Sequence, residues 1–90
     1  MIIKKLKNHK SAQAHVMEHE EKLYLISYTT KVIIVDRTTN VLEVTGLYSA
    51  TTRRHISWFL DEYFYHIDYY TVKNAYEQGK KINVITGDLI

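Results

Sequence analysis

No cysteine and no proline occur among the 90 residues of this chain, and glycine appears only three times. Without cysteine there is no disulfide framework and no thiolate metal site, a composition that suits a reducing compartment. With no proline and so little glycine there is no flexible or Pro-rich linker, and no repeat or low-complexity tract divides the chain. Long apolar runs are missing too. The longest are Leu23-Tyr24-Leu25-Ile26 and Val32-Ile33-Ile34-Val35, far short of the roughly 20 residues that cross a bilayer as a helix. The opening Met1-Ile2-Ile3-Lys4-Lys5-Leu6-Lys7 is basic but lacks the apolar core of a signal peptide. A chain of this length makes one domain, here residues 1–90, with no room for a second core.

A strong net charge is also missing: 12 Lys and Arg stand against 10 Asp and Glu, leaving +2. That is too little to argue for nucleic acid by itself, but the charges are unevenly spread. Lys4, Lys5, Lys7 and Lys10 make residues 1–10 a basic N-terminal arm with no acid, while Asp61, Glu62, Asp68 and Glu77 dominate 55–78. Aromatic residues are plentiful, with eight tyrosines, and the apolar fraction is that of a globular domain.

Residues 22–36, rich in Ile, Val, Leu, Tyr and Thr, carry the strongest β signal, with apolar side chains on both faces as central strands require. Residues 12–19 alternate loosely and read as an edge strand, with a turn at Glu20-Glu21-Lys22. A hairpin is expected over Asp36 to Asn40, where Asn tolerates a left-handed backbone, and Val41 to Thr45 returns as the next strand. Then Ile56, Phe59, Leu60, Tyr63, Phe64 and Ile67 recur at helical spacing behind the candidate caps Ser49, Thr51 and Thr52. Asp68 or Thr71 opens a second short helix that Gly79 stops, and Ile82-Asn83-Val84-Ile85 is a candidate last strand. The fold class expected is therefore α+β. It is a small antiparallel sheet of three or four strands packed against one main helix at about 50–66, with a second short helix near 71–79.

Two segments carry a resemblance: Ser27-Tyr28-Thr29-Thr30-Lys31-Val32, and Tyr48-Ser49-Ala50-Thr51-Thr52-Arg53-Arg54-His55-Ile56-Ser57-Trp58-Phe59-Leu60. Together they resemble an uncharacterised family of short proteins from bacteriophages and related mobile elements. In that family a Ser-Tyr-x-Thr-x-Val strand precedes a Tyr-Ser-x-Thr-Thr-x-Arg-His-Ile-x-x-Phe-Leu helix start. Tyr48, Ser49, Thr51, Thr52, Arg54, His55, Ile56, Phe59 and Leu60 match position by position, and the likeness covers roughly residues 22–62. The resemblance implies a phage origin and a host cytoplasm and supplies no activity. The chain departs from it by running about thirty residues past the motif.

Thr51, Thr52, Arg53, Arg54 and His55 form a candidate anion or nucleic-acid site, because hydroxyls, guanidinium forks and free helix N–H groups converge there. The commoner reading of such a segment is a capped helix start whose Arg54 stacks on Trp58 or pairs with a carboxylate. His15-Val16-Met17-Glu18-His19 has the His-x-x-Glu-His spacing of one zinc peptidase group. On a strand, however, the two histidines sit too far apart to share one ion, so no metal site is assigned. Trp58, Asp61, Glu62, Tyr65, Asp68, Tyr69 and Tyr70 make an acidic-aromatic surface suited to a basic protein partner, with Tyr63 and Phe64 assigned to the core. There is no Gly-x-Ser-x-Gly elbow, phosphate loop, dinucleotide fingerprint or cysteine nucleophile, so no enzyme activity and no cofactor are expected. The function expected is that of a non-catalytic, phage-encoded protein in the host cytoplasm that binds a host protein, as an inhibitor of a bacterial defence nuclease does. DNA or RNA binding through the Lys4–Lys10 arm and Arg53/Arg54 is the alternative, and a self-associating homodimer is the third reading. No membrane role is expected.

Overall fold

In the computed structural model, which describes residues 1–90, six strands follow one another across one antiparallel sheet. They are β1 (Ile2–Lys5), β2 (Ala14–His19), β3 (Lys22–Ser27), β4 (Thr30–Asp36), β5 (Val41–Val44) and β6 (Ile82–Asn83). Helices α1 (Ala50–Tyr63) and α2 (Tyr69–Gln78) are inserted between β5 and β6. No helix is long and apolar enough to cross a membrane.

Side chains alternate across each strand, so register decides which residues form the core. Val16 lies opposite Leu25, Leu25 opposite Ile33 and Ile33 opposite Val44, while Leu23, Val35 and Leu42 form the next row on the same face. All of these are buried, and α1 packs on β3 and β4 while α2 packs on β5. The helices contribute Ile56, Phe59 and Leu60 from α1, and Val72 and Ala75 from α2. The opposite face of the sheet carries Met17, Tyr24 and Ile34 in one row, with Lys31 Nζ 4.6 Å from the centre of the Tyr24 ring.

The sheet has six strands rather than three or four, and the added ones are those whose side chains do not announce a strand. Every side chain of β1 is exposed, and two of its four residues are lysine, so its sequence reads as a solvated tail. Its backbone nevertheless pairs along β2 from Ile2↔Glu18 to Lys5↔His15. Thus β2 is an interior strand, not an edge. The basic segment 1–10 is part of the fold, and Leu6 within it is fully buried in the core. β6 stops after two residues because Asn83 Oδ1 accepts hydrogen bonds from the N–H groups of Ile85 (2.9 Å) and Thr86 (3.2 Å), which turns the chain. The C-terminus then returns, and Lys81 and Ile90 exchange backbone hydrogen bonds.

Helix ends follow local chemistry. α1 finishes at Tyr63 rather than 66, because Phe64 leaves the helical region at φ −143°, ψ 61°. α2 starts at Tyr69 because Asp68, one of its two candidate openers, is the cap, accepting from Thr71 N at 2.8 Å. Gly79 closes it at φ 66°, a left-handed position glycine adopts without strain. The hairpin after β4 forms as its residues dictate: Asp36 Oδ1 accepts from Thr38 N at 2.9 Å, and Asn40 takes φ 60°.

Candidate functional site

The two motif segments meet in space. Ser27 is the last residue of β3 and follows Leu23 and Leu25 on the covered face, so its hydroxyl points under α1. Ser49 caps α1 and accepts from Thr52 N at 3.2 Å. Thr52 and His55, three residues apart, fall on the inward side of the helix beside Ile56. Ser27 Oγ lies 2.8 Å from His55 Nδ1 and 3.1 Å from Thr52 Oγ1, and Ser49 Oγ donates to Thr52 Oγ1 at 3.3 Å.

One proton arrangement satisfies the whole chain of groups. Ser49 donates to Thr52, Thr52 donates to Ser27, and Ser27 donates to His55 Nδ1, leaving the proton of the neutral imidazole on Nε2. Burial lowers the pKa of His55, with the positive charge of Arg54 adding to it, so the ring is neutral at pH 7. Only 2% of His55 is exposed. A buried polar network holds when every member is paired and fails sharply when one is not. Ser27→Ala is therefore expected to destabilise the fold by about 1–3 kcal/mol, read as a lower urea midpoint at unchanged m-value.

The candidate anion cluster is thus divided by the helix. Thr52 and His55 turn inward to Ser27, while Thr51 is half-buried and Arg53 and Arg54 are exposed. Arg54 donates to Thr51 Oγ1 at 3.3 Å and does not stack on Trp58. The indole of Trp58 is occupied by His9, whose ring lies parallel to it at 3.8 Å and 8°.

Two tyrosines flank this network at the surface. Tyr28, after Ser27, is 54% exposed, and Tyr48, before Ser49, is 64% exposed. Both hold positive φ, 57° and 32°. The Tyr28 ring centre is 5.7 Å from that of His55. The Tyr48 ring folds back over Gly46 so closely that a Cβ on that glycine would lie 2.5 Å from it. Thr45 Oγ1 links the neighbouring loops, donating to Lys31 O at 2.7 Å and lying 3.5 Å from the Tyr48 hydroxyl.

The topology gathers positive charge at this end of the sheet. The loop 6–13, the turn at Tyr28-Thr29, the linker 45–49 and the start of α1 all lie there, because the ends of β1, β3 and β5 and the starts of β2 and β4 do. These segments and the strand ends beside them hold Lys5, Lys7, Lys10, Lys31, Arg53 and Arg54, all exposed, with Glu43, one residue inside the end of β5, as the nearest strand carboxylate. Glu62 approaches from farther along α1, where it accepts from Lys7 N. Four of the ten carboxylates, Glu18, Glu20, Glu21 and Asp36, lie at the opposite end, with the cations Lys22 and Arg37 among them. Arg37, at 3.0 Å, and Lys4, at 3.7 Å, hold the Glu18 carboxyl below its usual range.

The acidic-aromatic surface is less free than its sequence suggests. Trp58 is stacked on His9, Glu62 is bonded to Lys7, and Asp68 is the α2 cap, its carboxyl held below the usual range by the Thr71 N–H and hydroxyl. Tyr69 is half-buried against the core, and its hydroxyl is buried without a partner, so it belongs with Tyr63 and Phe64 rather than with the surface rings. Asp61 is exposed, and Tyr65 and Tyr70 are 87% and 70% exposed. His15 and His19 lie four residues apart on β2. A shallow groove of about 450 Å³ lies on the uncovered sheet face, bordered by Lys22, Ile34, Asp36, Glu43 and Ile90, away from the motif network.

Sequence reasoning missed Ser27, Tyr28, Tyr48 and His9 as site residues. The available signal was the Ser-Tyr pair in the weaker of the two motifs, whose partner across the fold is the Thr-Thr-x-Arg-His segment. No curated protein and no solved structure matches this chain. A family described as a family of unknown function, DUF8033, matches residues 1–82, which take in all six strands' residues up to Ile82, both helices and the whole motif network. The chain is a member of that family, DUF8033.

Proposed function

We propose that this protein is a non-catalytic nucleic-acid-binding module of phage origin, acting in the host cytoplasm through the basic, aromatic end of its sheet. The observation that supports the reading is the segregation of charge. Six exposed cations and two exposed tyrosines share one end of the molecule, while Glu18, Glu20, Glu21 and Asp36 lie at the other. Net charge alone conceals this, because the acids outnumber the bases over the rest of the chain and bring the total down to +2. A phosphate backbone is bound by such a local field and repelled by carboxylates, so their separation matters more than the sum. Fluorescence polarisation with labelled 12-nucleotide single strands across a salt series tests it. Four to six phosphate contacts predict a log–log slope of about −3 to −4, hence an affinity loss of about fifty- to three-hundredfold between 50 and 200 mM salt. Salt-independent binding, or none at 50 mM, removes the reading.

A protein-directed role is the second reading, favoured by the exposure of Tyr65 and Tyr70 near Asp61 in sequence. It pictures a host protein such as a defence nuclease inhibited by that corner. Changes at Tyr65 and Tyr70 would then abolish the effect while Arg53 and Arg54 stay dispensable.

A further inference from the structure

We propose that Tyr28 and Tyr48 are base-stacking platforms, so that the ligand of the basic end is single-stranded nucleic acid recognised by its bases as well as its phosphates. The inference rests on the reading above and begins from backbone strain. A bulky side chain at positive φ is a conformational outlier, carrying strain that a fold retains only where something holds it. Tyr28 is the first residue of a two-residue hairpin loop, a place where glycine is the usual occupant when φ is positive. Tyr48 holds positive φ immediately before a helix cap. Neither ring compensates by burial, since more than half of each is in solvent.

Their supports fit stacking. Tyr48 lies on Gly46 with one face, leaving the other to solvent, and the contact needs the missing side chain of that glycine. Tyr28 leans toward His55, whose own position is fixed by Ser27. The motif network therefore holds the loops that carry both rings. Arg53 and Arg54 stand one turn away on α1, placed to take the phosphates between stacked bases. Duplex DNA offers no free base faces to such rings, whereas a single strand does.

The test compares a labelled dT12 with an abasic 12-mer of the same phosphate number, on wild-type protein and on Tyr28→Asn, Tyr48→Asn, Tyr28→Phe and Tyr48→Phe. Asparagine tolerates the left-handed backbone, so the Asn variants keep the urea midpoint or raise it. Each is expected to lose dT12 affinity about five- to hundredfold, while abasic binding stays unchanged. The Phe variants retain dT12 binding, which separates the ring from the hydroxyl and covers any Asn variant that fails to fold. Glu20→Gly, at φ 49° in the turn at the opposite end, is the matched control: it removes a similar backbone strain and leaves dT12 affinity unchanged. Equal affinity of wild-type protein for dT12 and the abasic strand overturns the stacking inference alone, as does an Asn variant that binds dT12 normally. Failure of wild-type protein to bind either strand overturns the basic-end reading with it.

Discussion

Phe59→Ala is expected to remove about 3–5 kcal/mol of stability, the largest single effect in the molecule. The ring is fully buried and stands where α1 meets the sheet. It also organises the end of the helix, with Tyr63 stacked at 5.1 Å and Phe64 tilted at 5.9 Å. Truncation takes away the transfer free energy of the ring and leaves a cavity that two half-buried aromatics cannot both enter. A domain of this size carries a total stability of about 5–13 kcal/mol. The loss is therefore roughly a quarter of that total or more, visible as a large fall in the urea midpoint by circular dichroism. Phe59→Leu, which keeps most of the volume, should lose less than half as much. An alanine variant with a wild-type midpoint would mean that the α1–sheet contact is not what holds the domain together.

That contact was legible in the sequence because the helix is periodic and the strands are apolar runs of strand length. Ile56, Phe59 and Leu60 repeat at helical spacing, Leu23, Leu25, Ile33 and Val35 lie in short apolar runs rich in β-branched residues, and Asp36 and Asn40 mark the hairpin between β4 and β5. What could not be read is what rests on backbone pairing or on long-range contact. β1 displays only exposed side chains, so nothing in Ile2-Ile3-Lys4-Lys5 distinguishes a strand from a tail; pairing with β2 decides it. The direction of His55 was hidden for a related reason. One step around the helix separates it from exposed Arg54, and only the arrival of Ser27 from β3 shows that the imidazole turns inward. In the acidic corner Asp68 and Glu62 look free in sequence, yet each is engaged by a backbone N–H that only the fold brings to it.

The motif thus separates into two layers with different physics. Ser27, Ser49, Thr52 and His55 form a connected polar network in which the three hydroxyls and His55 Nδ1 pair with one another, a fold-holding arrangement. Tyr28, Tyr48, Arg53 and Arg54 are their immediate neighbours in sequence and face solvent. A short motif that fixes loops from within and presents cations and rings outside explains why buried and exposed residues alternate so closely along it.

The outer layer gives the largest functional prediction. Arg53→Ala/Arg54→Ala is expected to weaken single-strand binding about a hundredfold at low salt, as two charge-assisted phosphate contacts are lost. The log–log salt slope should become shallower by about 1.4, because each contact to a single strand releases about 0.7 of a counterion. Stability should not fall with affinity. Arg53 closes the first turn of α1 and Arg54 follows it, close to the end where the helix dipole disfavours positive charge, and no acidic residue of that turn offsets them. Removing them is expected to leave the urea midpoint unchanged or raise it by the equivalent of about 0.5–1 kcal/mol. Lys80→Ala/Lys81→Ala, with the same change in net charge near β6, controls for overall electrostatics and should leave binding within about twofold. A double-arginine variant that is more stable and binds normally would place the ligand elsewhere. One that is more stable and no longer binds would show cations retained at the helix start against the local field, as contact with phosphate requires.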